Sequence, residues 1–212
     1  MKIICISDTH GFHQALNLPE GDMIIHAGDV SSRGLKEEIV TFLDWYSKLD
    51  FKYKIFIAGN HDFFFENASP EEVNDIIPPN IIYLNDSGID IEGIKIWGSP
   101  VQPWFFDWAF NRQRGSEIQK HWALIPSDTD ILITHGPAQG ILDRTVRNES
   151  VGCSDLLKSI KKIKPKFHIT GHIHEAYGRK EIDGIHFINA SVLNVKYQMT
   201  NSPIQIEIEE NE

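Results

Sequence analysis

The chain contains 212 residues, carries a formal net charge of −10 at pH 7, and has a hydrophobic content of 41%. This length is sufficient for one sizeable core, so we expect a single domain over residues 1–212. No stretch of about 18 apolar residues predicts a transmembrane helix. The acidic balance argues against a general nucleic-acid binder, whose surface would be basic.

The N-terminal residues predict a strand instead of a cleavable hydrophobic leader, and we therefore expect a cytoplasmic protein. Cys5 lies within that strand, and Cys153 is the only other cysteine in the sequence. Two buried, reduced thiols are favoured over a disulfide in such a protein.

Five short apolar runs, each followed by Asp, Asn or His, recur along the chain. The runs are residues 3–6, 23–25, 55–58, 131–134 and 167–170. They are largely continuous, as expected for strands that helices bury on both faces. In the third run, Gly59 lets the backbone turn sharply before the polar residues that follow. Because open α/β sheets place their sites at the carboxyl ends of strands, we expect these polar residues to form one site.

Helices are predicted between several of these runs. Apolar residues at helical spacing over residues 35–49 predict a crossover helix that completes a β–α–β unit. Ser69 and Pro70 are typical of the first turn of another helix. Two further helices are predicted over residues 115–123 and 153–163.

Closely spaced strands without intervening helices are predicted in two other regions. These strands are residues 81–84, 89–91, 94–97, 184–188, 192–197 and 204–208. We expect an antiparallel portion here, and a second sheet built from the middle and the end of the chain. His26, His168 and His186 lie inside apolar strands, where we expect hydrogen-bonded core histidines.

Seven side chains at the strand ends are candidate metal ligands. They are Asp8, His10, Asp29, Asn60, His135, His172 and His174. Residues spaced by two project to the same side of extended backbone, as in Asp8 with His10 and in His172 with His174. Mixed imidazole and carboxylate donors favour Mn, Fe or Zn over Ca or Mg. Of these metals we favour Mn.

Two metals about 3.5–4 Å apart can acidify a bridging water, bind phosphate oxygens and promote in-line attack on phosphorus. His61 follows the candidate ligand Asn60 but can point elsewhere, which leaves it free to protonate the leaving oxygen as a general acid. Any one of these residues alone is best interpreted as an ordinary polar residue at a strand end. All seven together favour a dinuclear site.

Five blocks in this order resemble the calcineurin-like metallophosphoesterase superfamily. They are Asp-x-His at 8–10, Gly-Asp at 28–29, Gly-Asn-His-Asp at 59–62, His-Gly at 135–136 and Gly-His-x-His at 171–174. The resemblance spans residues 8–174 with every block intact. It implies an α/β fold of four layers, an α/β/β/α sandwich in which helices flank two mixed sheets.

The resemblance also implies which ligands hold each metal and which residues are catalytic. One metal would be held by Asp8, His10, Asp29 and His174, and the other by Asp29, Asn60, His135 and His172, with Asp29 bridging. Asp29, Asn60 and His61 are the implied catalytic residues. A hydroxide held between the metals would attack phosphorus, Asn60 would bind phosphate oxygens, and His61 would act as the acid.

Further segments narrow the resemblance to the metallophosphoesterase-domain proteins of animals, which are similar to class III cyclic-nucleotide phosphodiesterases. These segments are residues 104–115, 135–137, 151–157, 165–168, 174–178 and 188–191. Serine/threonine phosphatases of the superfamily have Asp before the second-block arginine and Glu after Asn-His. This chain has Ser32 and Asp62 there, which argues against such a phosphatase.

We therefore expect a phosphodiesterase acting on nucleotide-like or other small phosphodiesters, with no membrane partner. A phosphomonoesterase, a nuclease and a nucleotide-binding scaffold with vestigial activity are the alternatives. Aromatic residues between 97 and 110, next to Asn111 and Arg112, can form a wall for a nucleobase. They can equally cover a sheet edge or form a homodimer contact. Arg33 is a candidate phosphate ligand or a solvated residue at a helix start.

Overall fold

The computed structural model describes residues 1–209, so residues 210–212 of the expected domain lie outside the described residues. The strands are β1 (Lys2–Ile6), β2 (Met23–Ala27), β3 (Tyr53–Ile57), β4 (Ile82–Tyr83), β5 (Ser87–Ile91), β6 (Ile94–Ser99), β7 (Gln102–Pro103), β8 (Asn111–Arg112), β9 (Ile131–Thr134), β10 (Phe167–Thr170), β11 (Gly178–Ile182), β12 (Ile185–Asn189) and β13 (Ile204–Glu207). The helices are α1 (Lys36–Ser47), α2 (Phe63–Asn67), α3 (Pro70–Ile76), α4 (Ser116–Trp122) and α5 (Ser154–Ile163).

The first sheet has five strands in the order β13-β1-β2-β3-β4. Strands β1 to β4 are parallel, and β13 pairs antiparallel with β1. Helix α1 crosses from β2 to its neighbour β3, which confirms the predicted β–α–β unit. Because β1, β2 and β3 are parallel, the polar residues that follow them lie side by side at the carboxyl ends of these strands.

The second sheet has six strands in the order β11-β12-β10-β9-β6-β5. Its central strands β12, β10, β9 and β6 are parallel, whereas β5 and β11 are antiparallel edge strands. The expected antiparallel portions are therefore the two edge hairpins. Strands β7 and β8 form a separate parallel pair.

Side chains alternate along β1 between two apolar layers. Ile3 and Cys5 face the second sheet, in a core that includes residues from both sheets. Ile4 and Ile6 face the opposite way and belong to the apolar layer that includes α1. On the outer face of the second sheet, α4 and α5 pack over residues such as Leu132. The predicted four-layer α/β/β/α sandwich is confirmed.

Two strand predictions need correction. Residues 204–207 form a strand, but it joins the first sheet instead of the second, and β4 does so as well. Residues 192–197 form no strand, because the Asn194 side chain accepts hydrogen bonds from the backbone N–H groups of Lys196 and Gln198 and closes a turn. Which edge a strand joins depends on partners that are distant in sequence, and local pattern does not report them.

Both cysteines are buried and free, as expected. Within residues 1–209, no helix is long and apolar enough to cross a membrane.

Candidate metal centre

Polar residues that follow strands of both sheets converge between the two sheets. Asp8, Asp29 and Asn60 follow β1, β2 and β3 of the first sheet. His135 follows β9 of the second sheet, and His172 and His174 follow β10. Three groups of donor atoms lie within 4.8 Å of one another: Asp8 with His10 and His174, Asp8 with Asp29 and His135, and His10 with Asp29 and His61.

Asp29 lies at the centre of this arrangement. Its Oδ2 is 3.6 Å from Nε2 of His10 and 3.3 Å from Nε2 of His135. The Nε2 atom of His135 also lies 3.0 Å from Oδ1 of Asn60, and the rings of His135 and His172 are 5.0 Å apart. The structure therefore brings all seven candidate ligands together, with Asp29 between the two sets of ligands that the resemblance assigns to the two metals.

The backbone around these ligands has an unusual conformation. Asp8, His10, Asp29 and His172 all have positive φ, between 43° and 66°. Residues with a Cβ atom rarely adopt this conformation, and such strain is retained where the surrounding structure imposes it. Here the imposing contacts include hydrogen bonds between the first two ligand loops, from Asp8 N to Gly28 O at 2.9 Å and from His10 N to Asp29 O at 3.0 Å.

Three glycines precede ligands because a Cβ atom would displace a ligand side chain. A Cβ at Gly59 would lie 2.3 Å from Oδ1 of Asp29, and one at Gly171 would lie 2.2 Å from Oδ2 of Asp8. A Cβ at Gly28 would lie 2.5 Å from Nδ1 of His135. Gly28 also has a φ of +101°, whereas the other two need only the close approach.

The hydrogen bonds of the histidines test whether this cluster fits a metal. His135 donates from Nδ1 to the Ala27 carbonyl at 2.8 Å, and His174 donates from Nδ1 to the Asn194 carbonyl at 3.2 Å. In the neutral rings, Nε2 is then an acceptor. Nε2 of His174 lies 3.5 Å from Oδ1 of Asp8, and Nε2 of His135 faces two oxygens. Acceptors that converge in this way fit a bound cation, and the imidazole, carboxylate and amide donors suit Mn, Fe or Zn.

The pKa values of the clustered histidines and aspartates reflect both their burial and the short distances between their charges. Although burial disfavours its charged form, His135 has its pKa raised to about 9 by the Asp29 carboxylate, so a metal that binds Nε2 would displace a proton from this ring. Burial also opposes ionisation of Asp29, but His135 holds the pKa of this carboxyl well below its usual range. Burial lowers the pKa of His172 to about 3, so this ring is neutral at pH 7, as a metal ligand must be.

His61 lies at the edge of the cluster. Its backbone N–H donates to Oδ1 of Asp29 at 2.8 Å, and its Nδ1 donates to the Ser32 carbonyl at 2.8 Å. Its ring contacts that of His10 edge-on, with centroids 4.5 Å apart. The Ser32 hydrogen bond fixes the ring and leaves Nε2 available for a substrate.

Two polar residues that the sequence did not assign support the ligands. Asp62 is fully buried and accepts hydrogen bonds from Gly59, Val30 and Ser31, so it joins the second and third ligand loops. Burial and the charge of Asp29 raise the pKa of Asp62 to about 6. Ser191 donates from Oγ to Oδ2 of Asp8 at 2.6 Å. The Gly-Asn-His-Asp block could have indicated Asp62, and Ser191 ends the segment 188–191 that carries part of the family resemblance.

A third unassigned residue, Tyr197, also lies against the cluster. Its ring is 4.9 Å from that of His10 and 5.5 Å from that of His174. Burial and the charges of Asp29 and Asp8 raise its pKa. The sequence placed Tyr197 at the end of a predicted strand that does not form.

The three predicted substrate residues occupy different positions. Asn111 donates from its amide to the carbonyls of Phe105 and Phe106. Arg112 forms an ion pair with Glu66 at 3.0 Å. Arg33 is exposed, directly after the residue whose carbonyl holds His61.

The aromatic cluster between residues 97 and 110 divides into three parts. Trp97 and Phe110 are buried in the apolar core, and Trp104 and Phe106 are exposed. The remaining two residues lie at the cluster of ligands: Trp108 is 4.4 Å from the His61 ring, and Phe105 is 5.1 Å from the His172 ring.

A cavity of about 440 Å³ adjoins the His172 side of the centre. Its lining includes Pro103, Trp104 and Phe105, together with Val151 and Gly152. Its volume is typical of sites for small molecules.

Comparison with known proteins identifies relatives of the whole chain. A family model described as calcineurin-like phosphoesterase matches residues 1–176. Metallophosphoesterase domain-containing protein 1 from Homo sapiens and its namesake from Mus musculus are each 40% identical to the chain over 230 residues, covering 98% of this chain and 71% of each relative. The solved structure of phosphopantetheinyl hydrolase from Mycobacterium tuberculosis has a TM-score of 0.62 at 15% identity, covering 92% of this chain and 90% of that one, and shows the fold alone.

Proposed function

This chain belongs to the calcineurin-like phosphoesterase family, and we propose that it is a dinuclear phosphodiesterase that hydrolyses small, nucleotide-like phosphodiesters. Membership of the family supports a metal-dependent phosphoesterase. The observation that carries the proposal is the convergence of imidazole and carboxylate donors around Asp29, with His61 beside them.

We assign one metal to Asp8, His10, Asp29 and His174, and the other to Asp29, Asn60, His135 and His172. Mn is our first choice for both positions. When bound, the metals would supply positive charge that polarises the phosphoryl oxygens and acidifies water. The protein supplies the geometry, since Nδ1 hydrogen bonds orient His135 and His174.

His61 is the proposed general acid. Its Nδ1 donates to the Ser32 carbonyl, so a protonated ring presents Nε2–H to the oxygen of the leaving group. Contact with the Trp108 ring helps to hold this orientation. Asn60 directs its carbonyl oxygen towards His135, which leaves its NH₂ group to bind a phosphoryl oxygen.

Two separate aromatic contacts favour a diester over a monoester. A phosphodiester carries two organic groups, and Trp108 lies beside His61 whereas Phe105 lies beside His172. The leaving group would contact Trp108, and the retained group would enter the cavity next to Phe105 and Trp104. The apolar walls of this cavity suit a planar base. We also propose a cytoplasmic location, in keeping with two buried free thiols.

The test compares bis(p-nitrophenyl) phosphate with p-nitrophenyl phosphate, using metal-stripped protein with Mn added back. We expect Mn-dependent hydrolysis and a higher kcat/KM for the diester. A His61→Asn variant should lose about 10²-fold or more in kcat on a diester with an alkyl leaving group, and less on one with p-nitrophenolate, which needs little protonation.

A preference for the monoester would replace the diesterase proposal with a phosphatase. Stoichiometric Mn uptake without turnover of either ester would favour a binding protein. Equal rates for wild type and His61→Asn on the alkyl ester would contradict the acid assignment.

A further inference from the structure

Tyr197 lies against His10 and His174, two ligands that do not line the cavity next to His172. Its ring contacts His10 edge-on at 4.9 Å and lies 5.5 Å from His174. His61 contacts the same His10 ring, at 4.5 Å. Tyr197 and His61 therefore both border His10, and each is in position to approach a group bound at the centre.

A tightly hydrogen-bonded turn presents this tyrosine. The Asn194 side chain accepts from Lys196 N at 2.9 Å and from Gln198 N at 3.1 Å. The Asn194 carbonyl accepts from Tyr197 N at 2.8 Å and also from Nδ1 of His174. One residue thus positions both the histidine and the tyrosine that covers it.

The turn holds Tyr197 in an unfavourable backbone conformation. Its φ is +57°, which bulky residues adopt rarely and glycine or asparagine adopt readily. Strain of this kind concentrates at functional sites. A tyrosine at such a position suggests a use for its side chain, since packing alone would not require the exposed part of the ring.

The hydroxyl of Tyr197 is available to a ligand. The side chain is exposed enough to reach solvent, with 47% of the residue accessible. Within residues 1–209 the hydroxyl has no hydrogen-bond partner, whereas the Tyr177 hydroxyl donates to the Ser202 carbonyl. The ion pairs of Asp8 and Asp29 within the same residues involve histidines and no lysine or arginine. The Tyr197 hydroxyl is therefore free to donate to a phosphoryl oxygen bound beside His10.

We propose that Tyr197 is a substrate-contacting residue whose hydroxyl donates a hydrogen bond to a non-bridging phosphoryl oxygen of the bound phosphoester. The inference rests on the proposed function and adds a second protein donor opposite Asn60. A diester has two non-bridging oxygens, so Asn60 would bind one and Tyr197 the other. Because the hydroxyl contacts the phosphoryl group, its effect is independent of the organic groups.

The experiment compares Tyr197→Phe with wild type and with Val195→Ala. The phenylalanine variant keeps the ring and removes only the hydroxyl. Val195 is in the same turn and also 47% exposed, which makes it a matched control. Two quantities are measured on Mn-loaded proteins: kcat/KM on bis(p-nitrophenyl) phosphate and p-nitrophenyl phosphate, and the Kd of inorganic phosphate by calorimetry. Metal content is measured in parallel.

We expect Tyr197→Phe to lower kcat/KM about tenfold or more on every ester that wild type hydrolyses, and to raise the phosphate Kd about tenfold, with unchanged metal content. Val195→Ala should match wild type. If Tyr197→Phe matches wild type in both measurements, the inference is wrong. If wild type hydrolyses neither ester, the proposed function fails, and the phosphate Kd alone decides the role of Tyr197.

Discussion

At the scale of single residues, histidine has different roles that depend on its surroundings. His135 and His174 donate from Nδ1 to carbonyls and direct Nε2 into the centre. His26 and His168 are buried and hydrogen-bonded to threonine hydroxyls, as predicted. The same prediction is wrong for His186, whose side chain is 49% exposed although it lies in β12. Neighbours in sequence do not reveal which face of a strand is covered.

His168 leads to a prediction about pH. Burial lowers its pKa to about 3 in the folded protein, against about 6.5 in the unfolded chain. Above pH 6.5, His168 is neutral in both the folded and the unfolded protein, so its contribution to the free energy of unfolding is constant. As the pH falls below 6.5, the unfolded state binds a proton that the folded state excludes, so stability is lost. At pH 5 this loss is about 2 kcal/mol.

Denaturant unfolding at pH 7 and pH 5 checks this value. The His168→Gln variant can still hydrogen-bond to Thr134. Between pH 7 and pH 5 we expect its free energy of unfolding to fall by about 2 kcal/mol less than that of wild type. His186→Gln is the matched control, since His186 occupies the neighbouring strand and is exposed. A pH response of His168→Gln equal to that of wild type would contradict the prediction.

At the scale of elements, Asp62 joins the loops that follow β2 and β3. Its two oxygens accept from Val30 N, Ser31 N, Ser31 Oγ and Gly59 N, at distances between 2.6 and 3.1 Å. These loops carry Asp29 and Asn60. Asp62 therefore sets the spacing of two proposed ligands without contacting a metal itself.

Substituting Asp62→Asn should disrupt this junction. The amide NH₂ group would face N–H donors, leaving them unsatisfied, and we expect a loss of roughly 2–5 kcal/mol in the free energy of unfolding. We also expect Mn affinity to fall about 10- to 100-fold. Chemical denaturation and calorimetric Mn titration measure the two effects. Asp44→Asn makes the same chemical change at an exposed site on α1 and should alter neither. Wild-type behaviour of Asp62→Asn would exclude the proposed role.

At the scale of the whole molecule, the centre lies where two sheets meet. Asp8, Asp29 and Asn60 come from the first sheet, and His135, His172 and His174 come from the second. Contacts between the sheets at this end are largely polar, in contrast to the apolar core behind them. Metals bound there would connect the two sheets.

Metal removal should therefore destabilise the whole fold. At a free Mn concentration of about 100 times Kd, one site adds about 2.7 kcal/mol, which for this chain length corresponds to a Tm increase of about 5–10 °C. Thermal unfolding with and without chelator measures the increase, and elemental analysis should find about two Mn per chain. Ca²⁺ is the control, because it prefers oxygen ligands and should stabilise less. An unchanged Tm with Mn would contradict a metal centre between the sheets.

The sequence by itself determined the five strand-and-ligand units and most helices. Each strand-and-ligand unit is encoded locally, as an apolar run followed within a few residues by Asp, Asn or His, and the helices are encoded by apolar stripes such as that over residues 35–49. The polar residues of these units are the seven candidate ligands, and the resemblance of the five blocks to the superfamily implied the layered fold.

Only the tertiary structure decided how distant segments meet. It placed β13 beside β1, divided the aromatic cluster between core and site, and brought Tyr197 onto His10. It also showed that Gly59 and Gly171 are needed for close approach to ligands of other loops. The physical reason is that turns and helices depend on neighbouring residues, whereas sheet edges, burial and site walls depend on contacts between residues far apart in sequence.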